Sequence, residues 1–235
     1  MAIHIYRRRG STGAFRLAKE LECVRIRDIN RAKFKPNDVL ICWGEADPGV
    51  GIKTLNGAPI RSKLTDALIL IKAKVPTIEI SKVAVPGWLA RSTYHTGGTD
   101  LLNPGRKKVG FWTKKEEFVK EIRIHSFGGR SIRAGVKALR KEFSLDGAKG
   151  TQKAHPWVRS WDGGWRIVYD GVTAQQKHRD VAHAAVKALD LHFGAVDIGE
   201  RADGSLCVLE VNRAPGVEGG TVKRYADAIR GWVNG

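Results

Sequence analysis

The stretch FGAVDIGERADGSLCVLEVN, residues 193–212, contains two apolar runs joined across the pair Asp203-Gly204. An Asp-Gly pair between two apolar runs is typical of a β-hairpin with a two-residue type I′ turn. Counting outward from that turn places Asp197 directly opposite Glu210. The stretch therefore predicts a hairpin whose two strands carry carboxylates at the same level.

Asn212 lies two residues beyond Glu210, so on a strand its side chain projects from the same face. Two carboxylates that face each other across a ladder repel, and a bound cation removes that cost. Carboxylate and amide oxygens suit Mg²⁺ or Mn²⁺. An exposed hairpin face with scattered polar groups is the alternative. The flanking runs FGAV and LCVL favour burial, where an unpaired carboxylate is costly, so the hairpin predicts a metal site.

The rest of the chain has the composition of a folded protein. Its 235 residues are 42% hydrophobic, enough for one large domain or two small ones. It contains no run of about 18 apolar residues, so we expect no membrane span. The N-terminus MAIHIYRRRG has its apolar residues before its arginines, the reverse of a secretory signal. Cys23, Cys42 and Cys207 fit no metal pattern, and these features together predict a cytoplasmic protein.

The formal net charge is +17, from 41 Lys and Arg against 24 Asp and Glu. Such a charge attracts acidic partners, which include nucleic acid, polyphosphate, nucleotides and carboxylate-rich peptides. The basic residues are spread along the chain without a basic tail. The charge therefore predicts an acidic partner without choosing among these classes.

The N-terminal segment has the pattern of a small α/β unit. IHIYRRR alternates as a strand does, AFRLAKELEC has helical spacing, and DVLICWG at 38–44 has the pattern of a buried strand. Strand, helix and strand in that order predict a parallel sheet. The intervening GSTG could hold a phosphate at the helix N-terminus. It lacks the spacing of a phosphate-binding motif, which favours a tight turn.

The remaining segments alternate between helices and short strands. We expect an amphipathic helix that starts at Ser62 and ends before Pro76, strands at TIEI, GWLAR and VGFWT, and a hairpin that turns at Gly128–Gly129. A helix over 174–191 has an alanine-rich face, and a short helix lies around Val222–Val233. The stretch STYHTGGTD has the composition of a mobile loop.

Three segments resemble the ATP-grasp superfamily. The ending AVDIG…CVLEVNRAPGVEGGTVKRYADAI resembles its C-terminal metal site, in which an Asp precedes Glu-x-Asn on a neighbouring strand. KEIRIHSFGG resembles its acidic-x-Arg strand, and GWLARSTYHTGGTDL resembles the basic residue and glycine-rich loop that cover the triphosphate. The resemblance covers about residues 55–235 and points to ribosomal-protein glutamate ligases and similar amino-acid ligases.

The resemblance implies an α+β (α/β) chain with the ATP-grasp fold and a small N-terminal parallel α/β domain. We expect that N-terminal domain at 1–54, where it would help to frame the acceptor site. The ATP-grasp domain is expected at 55–235, with subdomains at about 55–115 and 116–235.

The resemblance also assigns site residues. Its metal ligands correspond to the residues that the hairpin register selected, Asp197, Glu210 and Asn212. Its catalytic arginines, whose planar guanidinium suits a transferring phosphoryl group, correspond to Arg123 and Arg159. Its ATP-binding residues correspond to Arg91, His95, Gly97, Gly98, Thr113, Lys114 and Glu121, with adenine contacts from the backbone of the residues near 113–114.

The chain departs from the family pattern in two places. The family tends to have Arg-Ser-Asn where Trp161 follows Arg159-Ser160, and many relatives have Gly-Lys-Gly where this loop has Gly98-Thr99-Asp100. One loop cation is therefore missing, and either another basic residue replaces it or ATP binding is weaker. Arg123 could instead be a surface residue paired with Glu121, which lies two positions earlier on the same face.

The implied function is an ADP-forming carboxylate–amine ligase that uses ATP and Mg²⁺ (or Mn²⁺). ATP would phosphorylate a carboxylate, and an amine would attack the acylphosphate, joining an amino acid or peptide to an acidic acceptor. The alternative, favoured by the altered loop and the charge, is a catalytically weak or inactive ATP-grasp module that binds nucleic acid. Trp157, Trp161 and Trp165 could stack on a base beside Arg159 and Arg166, although core packing is the default for tryptophan. Kinase-like phosphoryl transfer without amide formation is a third possibility.

Overall fold

The computed structural model describes residues 1–8, 10–93, 99–102 and 108–235. Within these ranges the chain forms four β-sheets and five α-helices. The loop residues His95, Gly97 and Gly98, which were assigned to ATP binding, lie outside the described ranges. None of the described helices is long and apolar enough to cross a membrane.

The N-terminal segment forms a four-stranded parallel sheet, as its strand–helix–strand pattern predicted. The strand order is β2-β1-β3-β4, and the strands are β1 (Ile3–Tyr6), β2 (Val24–Ile26), β3 (Val39–Cys42) and β4 (Lys53–Leu55). Helix α1 (Thr12–Glu20) follows β1, and the Ser11 side chain caps it by accepting a hydrogen bond from the Ala14 N–H. A short 3₁₀ helix (Ile29–Arg31) precedes β3. Because the strands are parallel, their carboxyl ends meet at one edge.

A three-stranded antiparallel sheet comes next. Its strands are β5 (Ile80–Ser81), β6 (Leu89–Arg91) and β7 (Phe111–Thr113), with β7 in the centre. Helix α2 (Lys63–Lys72) precedes this sheet and is capped by the Ser62 side chain. The one-turn helix α3 (Thr99–Leu102) begins inside the stretch that was predicted to be a loop.

The largest sheet is antiparallel and has five strands in the order β12-β9-β8-β13-β14. Its strands are β8 (Lys120–Phe127), β9 (Arg130–Leu139), β12 (Trp165–Val168), β13 (Phe193–Glu200) and β14 (Leu206–Asn212). Helix α4 (Gln176–Ala188) precedes β13, and α5 (Gly220–Asn234) follows β14. Two short strands pair with each other in a separate ribbon, β10 (Phe143–Ser144) and β11 (Gln152–Lys153).

The five-stranded sheet has an apolar face and a polar face. The apolar face packs against Ala182, Ala185 and Val186 of α4 in one buried cluster, to which the sheet contributes Ile122, Ile124, Val196 and Ile198. Side chains alternate along a strand, so the polar residues between these positions project from the opposite face.

A second buried cluster joins the two ends of the chain. It contains Ile5, Leu17 and Trp43 from the N-terminal segment together with Phe193 of β13 and Tyr225 of α5. The boundary expected at residue 54 therefore separates two parts of the chain that share one hydrophobic core.

The β13–β14 hairpin contains the predicted pair of Asp197 and Glu210, but the predicted turn is wrong. A type I′ turn needs a positive φ at both central residues. Gly204 has a φ of +78°, whereas Asp203 does not lie in the positive-φ region. The Arg201 N–H donates to the carbonyl oxygen of Ser205, which leaves a loop of three residues rather than two.

The longer loop shifts the pairing of β13 with β14 by one residue, and a β-bulge reverses that shift. Ile198 pairs with Val208, whereas Asp197 pairs with Glu210, so Leu209 is an extra residue on β14. The extra loop residue and the extra strand residue offset each other. The carboxylates therefore face each other as predicted, although the route to that register was not the predicted one.

Candidate active site

The polar face of the five-stranded sheet aligns residues from four strands. Glu210, Asp197, Arg123 and Gly135 pair in turn across β14, β13, β8 and β9. Gly135 has no side chain, and Ile167 and Tyr169 fill the space that one would occupy. The row therefore places two carboxylates and one guanidinium side by side, and the pairing of the two carboxylates is the one that the hairpin register predicted.

Arg123 and Asp197 form a two-pronged ion pair. Arg123 Nε lies 2.6 Å from Asp197 Oδ1, and Nη2 lies 2.7 Å from Oδ2. Lys137 Nζ lies 3.3 Å from Oδ2 of the same carboxylate. Burial acts to raise the pKa of Asp197, but the two cations outweigh it and hold that pKa well below its usual range. Asp197 is therefore a carboxylate at neutral pH.

Glu121 pairs with other cations than Arg123. Arg159 Nε lies 3.2 Å from Glu121 Oε1, and Lys137 Nζ lies 3.8 Å from Oε2. Burial raises the pKa of Glu121 although both cations act to lower it. Lys137 thus contacts both Glu121 and Asp197. Arg123 pairs with Asp197 and not with Glu121, which was the alternative considered from the sequence.

The two remaining metal-ligand candidates, Glu210 and Asn212, also have partners. Glu210 Oε2 lies 2.5 Å from Lys63 Nζ at the start of α2. Burial acts to raise the pKa of Glu210, but Lys63 and Arg123 together outweigh it and the pKa is lowered. Asn212 Oδ1 accepts a hydrogen bond of 3.0 Å from the Ala214 N–H. A lysine of another element therefore positions the Glu210 side chain, and a backbone N–H two residues further on positions that of Asn212.

This donor set fits a dication that arrives with a polyphosphate. Two carboxylates and an amide oxygen are the ligands that Mg²⁺ prefers. Among the described residues, no group of three or more His, Cys, Asp or Glu side chains is placed to hold a metal ion. Three carboxylates in this cluster face four cations, which are Lys63, Arg123, Lys137 and Arg159. That surplus of positive charge would repel a dication alone, whereas it would attract phosphate oxygens, which could pair with the four cations.

Arg159, the second candidate catalytic arginine, has its side chain fixed on three sides. Besides Glu121 it contacts the Phe118 carbonyl oxygen, at 3.1 Å from Nη2, and it lies 4.8 Å from the centre of the Trp165 ring. Trp165 is buried, as the default for tryptophan predicts. Trp161 is 62% exposed, and the Arg140 guanidinium lies 3.9 Å from its ring.

The ATP-binding candidates Arg91 and Lys114 already have partners. Arg91 Nε lies 2.9 Å from Asp100 Oδ2. Asp100, at the end of the loop that lacks a cation, therefore contacts a residue that is expected to bind phosphate. The Lys114 N–H donates to the Glu79 carbonyl oxygen at 2.9 Å, and Lys114 Nζ lies 2.5 Å from Glu79 Oε1. Thr113 is buried and pairs with strands on both sides. An adenine contact at Lys114 would therefore use its carbonyl oxygen or displace Glu79.

Sequence reasoning missed Lys63 and Lys137. Lys137 follows Gly135 at strand spacing, so its position on the polar face could be read from the alternation of β9. Nothing in the sequence near Lys63 pointed to Glu210, which lies on a different element.

The carboxyl edge of the N-terminal sheet lies next to the segment that follows Asn212. Arg7 Nη1 donates to the carbonyl oxygen of Trp43 at 3.2 Å, and a Cβ atom on Gly44 would lie 2.6 Å from Cβ of Ala214. The start of α1 contacts the same segment. The edge at which ligands bind in parallel sheets therefore faces the candidate active site.

Solved structures of other proteins share this architecture. No family model and no curated protein matches the chain. Among solved structures, the ATP-grasp ligase PsnB complexed with minimal precursor has 13% identity and a TM-score of 0.66, over 98% of this chain and 99% of that chain. D-alanine–D-alanine ligase from Bacillus anthracis has 15% identity and a TM-score of 0.60, over 98% and 92%. The macrocyclase MdnC, bound with precursor peptide MdnA from Microcystis aeruginosa MRC, has 12% identity and a TM-score of 0.59 over both whole chains. This chain therefore has the fold of the ATP-grasp superfamily, which its three motifs predicted.

Proposed function

We propose that this chain is an ATP- and Mg²⁺-dependent carboxylate–amine ligase. The observation that carries the proposal is the row of Glu210, Asp197 and Arg123 on the polar face of an ATP-grasp fold. Similar solved structures support the cofactors, since PsnB was solved with Mg and ADP, and D-alanine–D-alanine ligase with ATP.

Asp197, Glu210 and Asn212 would hold Mg²⁺. When bound, the ion would neutralise phosphate charge during transfer of the phosphoryl group. Arg123 keeps its charge and offers paired donors, so it would bind a phosphoryl oxygen or the oxyanion of the tetrahedral intermediate. Lys137 lies between two carboxylates and would add a second donor at the same place.

The substrates would be an amino acid or peptide and an acidic acceptor. PsnB and MdnC were each solved with a precursor peptide, which supports a peptide substrate. The net charge of +17 supports an acidic one, because a positive surface concentrates anions near the site. The reactive carboxylate would be phosphorylated first, and the amine would then displace phosphate to form the amide.

The test is ADP release with Mg²⁺ and a panel of amino acids and acidic peptides. We expect substrate-dependent ADP release by the wild-type chain and a loss of about 100-fold or more in Glu210→Gln, as for other preorganised transition-state contacts. Glu20→Gln is the matched control, because Glu20 is exposed at the end of α1. Mass spectrometry of the product separates a ligase, which adds a residue, from a kinase, which adds phosphate.

A nucleic-acid-binding module is the second candidate, and the exposed Trp161 beside Arg140 favours it. No ADP release with any substrate, together with salt-sensitive binding of a single-stranded oligonucleotide, would support the module and contradict the ligase.

A further inference from the structure

Arg133 is a cation on the polar face for which the described residues offer no carboxylate at ion-pair distance. It lies on β9, two residues before Gly135. Its Nη1 donates to Thr221 Oγ1 at 2.6 Å, and its guanidinium lies 4.1 Å from the centre of the Tyr169 ring. The other cations of this face, Lys63, Arg123, Lys137 and Arg159, each contact Asp or Glu. The position of Arg133 is thus fixed by a hydroxyl and a ring, and its charge is not neutralised.

Tyr169 lies over Gly135, next to Arg123. A Cβ atom at Gly135 would lie 2.7 Å from Cδ1 of Tyr169, so only glycine leaves space for this ring. Tyr169 and Arg133 are partly exposed and can therefore meet a ligand. Beyond them, Glu218 is 3.2 Å from Arg16, so that carboxylate has its own cation.

His125 holds the Tyr169 hydroxyl from beneath. His125 Nε2 lies 3.0 Å from Tyr169 Oη, and Nδ1 lies 3.2 Å from Tyr225 Oη. Burial, with help from Arg123, lowers the pKa of His125 to about 3, so its ring is neutral at physiological pH. Burial raises the pKa of Tyr169, so its hydroxyl keeps its proton.

A neutral imidazole carries one N–H, so the chain of hydrogen bonds through His125 can run in either of two directions. When Tyr225 donates to Nδ1, the N–H on Nε2 donates to Tyr169 Oη. The Tyr169 O–H then has no other partner among the described residues, and the Arg133 guanidinium lies over the same ring. An anion at that place would favour this arrangement without any net proton transfer.

We propose that Arg133 and Tyr169 bind the non-reacting carboxylate of the amine substrate, and that His125 is a positioning residue that sets the Tyr169 hydroxyl as a donor. The assignment to the amine substrate rests on the proposed ligase function, whereas carboxylate binding at this place does not. β9 lies about 10 Å from β13, two strand spacings away. This separation, with Arg123 between the two places, favours the amine substrate over the carboxylate that would be phosphorylated beside Asp197. The substrate class is therefore an amino acid or a peptide with a free carboxylate.

Binding is tested without ATP, by imidazole ¹⁵N NMR of the full chain titrated with acetate and, as the uncharged match, acetamide. We expect acetate to shift the His125 signals toward the Nε2–H tautomer and acetamide to leave them unchanged. Arg133→Gln should abolish the acetate effect and Arg133→Lys should restore part of it. Arg130→Gln removes a charge from the exposed start of the same strand and should respond as the wild type does. No acetate response in the wild type, or an equal response in Arg133→Gln, would overturn the proposal.

The role in the reaction is tested by kinetics. For an amine substrate with a free carboxylate, Arg133→Gln should raise KM about 10- to 100-fold, in line with loss of a charge-assisted hydrogen bond, and leave the KM for ATP unchanged. The corresponding substrate amide should react equally well with both proteins. If acetate binds but the wild type releases no ADP, the ligase proposal fails and the carboxylate site stands.

Discussion

Each carboxylate of the candidate active site is held by a cation from another element. Asp197 contacts Arg123 and Lys137, and Glu210 contacts Lys63. The hairpin register predicted the two carboxylates, and the resemblance of KEIRIHSFGG to the ATP-grasp superfamily predicted Arg123, because both depend on residues that are neighbours in sequence. It did not predict the lysines, because their partners lie far away along the chain.

Arg123→Ala should lower the free energy of unfolding by about 3–5 kcal/mol, the range for breaking a buried ion pair by removing one partner. Asp197 would keep only Lys137, at 3.3 Å. Arg123→Lys should recover part of the loss, since lysine restores the charge but not the paired donors. Urea denaturation measures both. Equal stability of Arg123→Ala and the wild type would contradict a tight buried pair.

The same ion pair predicts a pH dependence of stability. The pKa of Asp197 is lower in the folded chain than the ordinary value of about 3.9 in the unfolded chain, so the unfolded state binds a proton first. The stabilisation is present above about pH 4 and is lost as the pH falls toward the folded pKa. Between pH 4 and pH 2, the free energy of unfolding of Asp197→Asn should therefore fall less steeply than that of the wild type. Parallel curves would show that Asp197 does not carry this dependence.

At the scale of elements, turn and strand irregularities decide which residues meet. The loop of the β13–β14 hairpin is one residue longer than predicted, and the bulge at Leu209 adds one residue to β14. An Asp-Gly pair is compatible with either loop length, because glycine supplies a positive φ in both. The bulge depends on how β14 fits its neighbour, which the sequence of the hairpin does not show.

The contact between β3 and the segment after β14 predicts a difference between two glycines. Gly44 and Gly49 both have positive φ, +75° and +72°. A Cβ atom on Gly44 would lie 2.6 Å from Ala214 Cβ, whereas no atom of the described residues lies within 4 Å of one on Gly49. Gly49→Ala should cost about 1–2 kcal/mol from backbone strain alone.

Gly44→Ala should cost that amount plus about 1–3 kcal/mol for overpacking. Thermal unfolding, followed by circular dichroism, measures both variants. Similar losses of stability in the two variants would show that Gly44 is not in tight contact with the segment after Asn212.

At the scale of the whole molecule, the N-terminal sheet and the last helix share a core. Trp43 is fully buried and lies 5.2 Å from the Phe193 ring and 5.6 Å from the Tyr225 ring, measured between ring centres. Such a core joins the N-terminal segment to residues that border the candidate active site. We therefore expect the chain to unfold as one cooperative unit.

Trp43→Ala should lower the free energy of unfolding by about 3–5 kcal/mol, as for other large-to-small changes in a core. Trp161→Ala, the exposed match, should change it by about 0.5 kcal/mol or less. Hydrogen exchange of the β13 amides should accelerate in the first variant only. If β13 stayed protected in Trp43→Ala, the two parts of the chain would unfold separately.

The sequence by itself determined the N-terminal parallel sheet, the four longer helices, the pairing of Asp197 with Glu210 and the ATP-grasp fold, because periodicity and short motifs are local properties. It did not distinguish the buried Trp165 from the exposed Trp161. Only the tertiary structure decided which cations hold the carboxylates and that Arg133 and Tyr169 adjoin Arg123. It also joined the N-terminal sheet to α5. Those arrangements depend on packing between residues far apart in sequence, and no local pattern encodes such packing.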